Sequence, residues 1–236
     1  MKPPVEFLDR SEYRRRMNEA LEIDPRRTVV VTVDMQRDYL DLEVASAPVA
    51  ADEAERVVKH SRDLLDFARG LGLPVVHVYV NRRRVESERG RETAGETFRV
   101  ARERGLSQNA QAGVRRIPDR REGSPQAQVP AILVAPDDVH VTTKKSLDGF
   151  LGTDLEFLLS RVYEARTVVL AGINTDTCVY STAFSASNRG YRTVVVSDCV
   201  ASMRGRDAHW MALELMSRSI AWVLTLGELK SKLGAV

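Results

Sequence analysis

Thr28-Val-Val-Val-Thr-Val-Asp34 is a run of six β-branched residues closed by a carboxylate, and its reading decides the fold. β-Branched side chains are stiff at χ1 and favour extended backbone. A half-exposed strand alternates apolar and polar residues. A run without that alternation has no solvent face and predicts a strand buried on both sides, as in the middle of a parallel sheet with helices above and below it.

The flanking sequence repeats the theme. Asp52 to Arg69 places Val57, Leu64, Leu65 and Ala68 at helical spacing and ends on Gly70-Leu-Gly72, which resembles a C-cap. Strands are then predicted at 74–80, 139–143, 167–171, 193–197 and 220–224, with helices at 154–159, 176–188 and 207–218 between them. Strands separated by helices of this length imply right-handed crossovers. The expected architecture is a three-layer α/β/α sandwich, Rossmann-like, with a central, mainly parallel sheet of about six strands in one domain spanning 1–236. Residues 1–27 are charged, with an amphipathic helix around Glu12 to Leu21, and read as an N-terminal arm or an oligomer contact. Residues 81–129 are irregular and charged apart from a helical stretch around Glu96 to Arg104, and read as an insertion over the active-site end of the sheet.

Composition excludes several classes. The 236 residues carry 35 Lys and Arg against 33 Asp and Glu, a net charge of +2. Arginines of the N-terminal half are interleaved with glutamates, so no field of one sign builds up and nucleic acid is not an expected partner. No apolar run approaches the roughly 20 residues of a spanning helix. Charges occupy the N-terminus where a signal peptide has its apolar stretch. No membrane association and a cytoplasmic location are expected. The two cysteines lack CxxC or mixed Cys/His spacing, so neither a disulfide framework nor a thiol metal site is expected.

In open parallel sheets the site lies beyond the carboxyl ends of the strands. Asp34 follows the first strand, Lys144 follows Val-His-Val-Thr-Thr, and Cys178 lies just past Val-Val-Leu-Ala-Gly at the start of a helix. A helix N-terminus and a nearby ammonium lower a thiol pKa, and a carboxylate relays the proton to a leaving amine. Each residue has a plainer reading when taken singly: a turn cap, a solvated lysine, a packed thiol. Their joint appearance at three strand ends favours chemistry.

Val33-Asp-Met-Gln36, Lys144-Lys-Ser-Leu-Asp-Gly-Phe150 with Gly152-Thr-Asp-Leu155, and Gly172-Ile-Asn-Thr-Asp-Thr-Cys-Val179 resemble, in order, the three signature segments of the isochorismatase-like hydrolases. The resemblance spans roughly 29–223. It implies a catalytic triad of Asp34, Lys144 and Cys178. The family lysine stands six positions before the segment's aromatic, which selects Lys144 over Lys145, the latter expected on the opposite side and solvated. It also implies a cis peptide at Ile173-Asn174, with the Asn174 and Cys178 amides forming an oxyanion hole, and a homo-oligomer, a tetramer or dimer.

Departures from the family narrow the chemistry. Its nicotinamidases have an Asp-x-His metal motif, whereas Asp41-Leu-Glu43 and Asn81-Arg-Arg83 offer no histidine, so no metal and no cofactor are expected. Isochorismatases proper cleave a vinyl ether without a nucleophilic cysteine, so Cys178 points instead to a C–N bond. The subgroup most similar by motif comprises N-carbamoylsarcosine, ureidoacrylate and biuret amidohydrolases, which implies a small amide, ureido or carbamoyl substrate and a thioester intermediate. Vinyl-ether hydrolysis and a catalytically idle ligand binder are the alternatives. Tyr39, Phe150, Thr177 and Tyr180 are pocket candidates, with core packing an equal reading for Phe150. Arg204 matches, after a one-residue shift, an arginine that grips a substrate carboxylate; a solvated arginine or a pair with Asp207 is the competing reading. Cys199 is expected to be buried and inert, and His77 to be structural.

Overall fold

The computed structural model describes residues 8–89, 95–106 and 120–234. In chain order the elements are α1 (Ser11–Ala20), β1 (Thr28–Val33), α2 (Arg37–Leu40), α3 (Ala51–Gly70), β2 (Val75–Val80), α4 (Arg84–Glu88), α5 (Glu96–Glu103), β3 (Val139–Lys144), α6 (Leu155–Phe157), β4 (Thr167–Ile173), α7 (Tyr180–Asn188), β5 (Arg192–Ala201), α8 (Arg206–Ser219), β6 (Trp222–Leu224) and α9 (Leu226–Leu233).

β1 is buried along its whole length, as its unbroken β-branched run requires. It pairs with β2 on one side and β4 on the other, in a six-stranded, all-parallel sheet of order β3-β2-β1-β4-β5-β6. Alternation along the strands divides the core. Val29, Val31, Val33, Val168 and Leu170 face the layer of α6, α7 and α8, packing on Leu155, Ala183 and Met216. Val30, Val169 and Val194 face Leu64 and Leu65 of α3 and Leu229 of α9. Each such Val or Leu removed from water contributes about 1.5–3 kcal/mol, which is what holds both layers to the sheet.

β5 is longer than the sequence pattern predicts because it contains an irregularity. Leu170 pairs with Val195 but Gly172 pairs with Val200. The carbonyls freed there are taken by Arg56 of α3, which donates to Ser197, Asp198 and Val200 at 3.3, 2.8 and 2.9 Å. The predicted helix at 154–159 is a short α-turn followed by a π-turn, Leu158–Val162. β6 begins two residues late because the amides of Ile220 and Ala221 both close on the Met216 carbonyl at the end of α8.

The N-terminal α1 buries no residue of its own and lies along the β6 edge. Asn18 and Trp222 exchange side-chain bonds with the Val223 and Met17 carbonyls, and Arg14 pairs with Glu214 of α8 at 2.6 Å. Among the described residues no helix is long and apolar enough to cross a membrane.

Candidate active site

Three strand ends meet at the carboxyl edge of the sheet. Asp34 leaves β1 at φ 48°, a left-handed conformation that aspartate tolerates better than most side chains. Its Oδ1 accepts the Val80 amide at 3.2 Å and its Oδ2 accepts Lys144 Nζ at 2.6 Å. Beside it, Gly172 has φ 136°, and a Cβ there would stand 2.0 Å from the Val33 carbonyl oxygen. Only glycine lets β4 come this close to the point where Asp34 begins.

A β-bulge aims Lys144. Val80 stands opposite both Thr143 and Lys144, two residues against one, and such an extra residue turns the side chains that follow it. Lys144 is fully buried against Asp34. Lys145, its side chain 34% exposed, binds the Asn81 carbonyl and the Glu86 carboxylate with its ammonium, which ties α4 to β3.

Cys178 lies in a single π-turn, Thr175–Val179, between β4 and α7, closed by the Val179 amide on the Asn174 carbonyl at 3.0 Å. Such wide turns recur at functional sites. The Ile173–Asn174 peptide is cis, as the resemblance implies. Residues after β5 clamp this turn from outside. Met203 donates its amide to Asn174 Oδ1 at 2.9 Å, Thr175 Oγ1 meets His209 Nδ1 at 2.8 Å, and Asp176 accepts Ser202 Oγ at 2.6 Å and Arg204 at 3.0 Å.

Cys178 is 6% exposed. Burial pushes the thiol up to about 11; the nearby Asp34 carboxylate adds to the rise, against the charges of Lys144 and Arg120. The expectation of a lowered thiol pKa is therefore reversed. Desolvation dominates in a site this closed, and the Lys144 charge is already matched by Asp34. For Lys144 burial acts downward, yet the charges of Asp34 and Cys178 and the bond to Asp34 outweigh it and hold the ammonium up. At rest the site is a neutral thiol beside an ion pair. Alkylation of Cys178 by iodoacetamide is accordingly expected to be slow at pH 7 and to rise about tenfold per pH unit up to pH 10, followed by peptide mass.

The remaining candidates divide. Tyr39 is buried in α2, and its hydroxyl accepts a hydrogen bond from Arg120. Burial raises its phenol well above the usual range, and the charges of Cys178 and Asp34 also act on it. Thr177 and Tyr180 are half-buried on and just after the nucleophile turn. Phe150 is buried in the same apolar cluster as Cys178; it stacks on Tyr191 at 6.3 Å, with Arg189 4.5 Å from its ring. Arg204 pairs with Asp176 and not with Asp207, lies 5.6 Å from the Phe98 ring of α5, and is not solvated. Cys199 is fully buried, its thiol pushed up to about 12 by burial. His77 is a buried link between Thr32 and Asp138, at 2.7 and 3.0 Å.

Sequence reading missed Gln36, whose amide bridges the Val80 and Ala127 carbonyls at 2.8 Å each, and Arg120. No local signal marks Arg120 within its charged segment. Among the described residues no group of three or more His, Cys, Asp or Glu is placed to hold a metal ion. A groove of about 980 Å³ lined by Leu40, Leu42, Val58, Val129 and Val134 contains none of Asp34, Lys144 and Cys178.

The parallel sheet of this α/β sandwich thus carries an acid, an ammonium and a thiol at one strand edge. The chain matches the Isochorismatase domain over residues 28–228 and belongs to that family. It is similar to the maleamate amidohydrolase of Pseudomonas putida, 27% identical over 187 residues that cover 78% of this chain and 76% of the relative. It is also similar to the ureidoacrylate amidohydrolase of Methylobacterium radiotolerans, 26% identical over 221 residues covering 92% and 83%. A cysteine hydrolase structure from Pseudomonas syringae pv. phaseolicola 1448A shares the fold, with a TM-score of 0.72 at 24% identity over 91% of this chain and 96% of that one.

Proposed function

We propose that the protein is a cysteine-dependent amidohydrolase that cleaves the C–N bond of a small amide, ureido or carbamoyl compound through a thioester. The observation that carries this reading is the buried Cys178 thiol beside the 2.6 Å Asp34–Lys144 ion pair. The names of the two amidohydrolase relatives support it.

The thiol is neutral at rest, so attack and proton transfer are coupled. As Sγ bonds to the carbonyl carbon, the thiol proton passes to Asp34, a general-base contribution of about 10²- to 10⁴-fold. The oxygen gains the charge, and the Asn174 and Cys178 amides receive it; removing one such donor elsewhere costs about 2.7–4 kcal/mol. The tetrahedral adduct collapses, the C–N bond breaks, and Asp34 returns the proton to the departing nitrogen, which leaves as ammonia or an amine. Water then attacks the thioester, giving its proton to Asp34. The acid departs as Asp34 reprotonates the sulfur. Lys144 holds Asp34 in place through the 2.6 Å ion pair and offsets negative charge on the sulfur. No step in this scheme calls for a cofactor.

Exposed apolar side chains on α7 and α8, namely Phe184, Trp210, Met211 and Leu215, support assembly as a homo-oligomer. An ammonia-release assay over maleamate, ureido acids, biuret and simple linear amides tests the activity. Turnover of at least one member is expected, and no release from any of them counts against the reading.

A further inference from the structure

We propose that His209, in the first turn of α8, is a positioning residue: it accepts a hydrogen bond from the Thr175 hydroxyl and through it holds the nucleophile turn, so that the Asn174 and Cys178 amides address one oxygen. This rests on the amidohydrolase reading and adds to it a residue from outside the strand edge.

Thr175 lies between those two amides in sequence. It is fully buried, so its hydroxyl has no bulk water to fall back on. The hydroxyl stands 2.8 Å from His209 Nδ1. It has one proton to place, and the unprotonated nitrogen of a neutral imidazole accepts it. The surroundings keep the ring neutral. Burial and the Arg56 charge push the imidazole below its ordinary value, against the charges of Glu53 and Asp176.

His209 stands on a fixed base. Gly205 opens α8 at φ 116°, a conformation that side-chain-bearing residues rarely adopt. Its amide donates to the Ser202 carbonyl at 3.3 Å, and the His209 amide donates to the Gly205 carbonyl at 3.2 Å. The segment from Ser202 to His209 is thereby tied into one block. That block meets three successive residues of the turn: Met203 holds Asn174, His209 holds Thr175, and Ser202 and Arg204 hold Asp176. Asn174 and Asp176 reach their partners through two side-chain torsions. Thr175 Oγ1 is one torsion from the backbone, and a β-branched residue is stiff about it. The His209 bond is therefore the least compliant of the set. A misplacement of about 1 Å in such a site can cost about 10²-fold in rate.

The test uses the full chain and two readouts. Steady-state kinetics compare wild type, H209F, H209N and T175V on whichever amide of the ammonia-release screen turns over fastest. His209→Phe keeps a ring without an acceptor, and the cavity of about 240 Å³ that His209 lines with Glu53, Ser202 and Arg206 gives the larger ring room. It is expected to lower kcat at least tenfold with KM changed less than threefold. His209→Asn carries an amide oxygen in place of Nδ1 and is expected to bring kcat back to within threefold of wild type. Thr175→Val removes the hydroxyl from the other side and is expected to match His209→Phe, with the double variant losing no more than either. If His209→Phe does not fold, Thr175→Val decides by the same figures. Alkylation of Cys178 by iodoacetamide is the second readout and needs no hydrolysis. A turn without this anchor opens more often, so His209→Phe is expected to react at least threefold faster than wild type and His209→Asn at the wild-type rate. Unchanged kcat in His209→Phe, no rescue by His209→Asn, or multiplicative losses in the double variant overturn the assignment. Faster alkylation in His209→Phe, reversed in His209→Asn, by a protein that hydrolyses no amide supports the anchor while refuting the amidohydrolase reading. Amide turnover that His209→Phe and Thr175→Val leave unchanged does the reverse.

Discussion

Cys178→Ala is expected to lower kcat for amide hydrolysis on the order of 10⁴-fold or more while leaving the fold intact. The two effects separate because the thiol does chemistry without holding the structure together. Cys178 lies in the π-turn Thr175–Val179, and that turn is held by its own backbone bond and by Met203, Ser202, Arg204 and His209, none of which touches the sulfur in those bonds. Removing one buried sulfur atom costs about 1 kcal/mol, within the ordinary range for a point substitution. Losing the nucleophile leaves only orientation and electrostatics, and in other hydrolases such a loss reaches about 10⁶-fold. Activity of purified Cys178→Ala, with a melting curve as control, checks both halves. Direct attack by water, as in vinyl-ether hydrolysis, would survive the substitution.

Lys144→Met is expected to reduce both activity and stability strongly. In the wild type two opposite charges, each at most 1% exposed, satisfy one another at 2.6 Å. Without the ammonium, Asp34 is a buried carboxylate held by the Val80 amide at 3.2 Å. Breaking a buried pair from one side costs about 3–5 kcal/mol. At about 2–4 °C per kcal/mol for a chain of this size, the melting temperature should fall by roughly 6–20 °C. Asp34→Asn strands Lys144 in the same way. The double variant Asp34→Asn with Lys144→Met removes both charges and should regain most of the stability of either single variant, with activity still absent. If each single variant melts like the wild type, the pair is not the buried unit described.

Much of this was legible in the chain. The run from Thr28 to Val33 carries its strand identity in its β-branching, and strand ends at Asp34, Lys144 and Cys178 place all three groups at one edge. What could not be read depends on contacts distant in sequence. The extension of β5 to Ala201 rests on Arg56, more than 140 residues away, capping bulged carbonyls. Burial reversed the expected thiol shift, and burial is not a local property of the sequence near Cys178. Arg120 sits in a stretch whose composition reads as solvated loop, and only the bridge to Arg82 brings it to Tyr39. One omission had a local signal: Thr225-Leu-Gly-Glu228 is a capping box, and it opens α9.

In the proposed mechanism sulfur, not water, makes the first bond to the carbonyl. Acid quenching of the wild type during turnover, followed by the mass of the peptide bearing Cys178, tests it most directly. This peptide is expected to gain the mass of the substrate's acyl group, and the gain is expected to be missing in Cys178→Ala. Sustained ammonia release with no acyl mass on Cys178, and undiminished in Cys178→Ala, would contradict it.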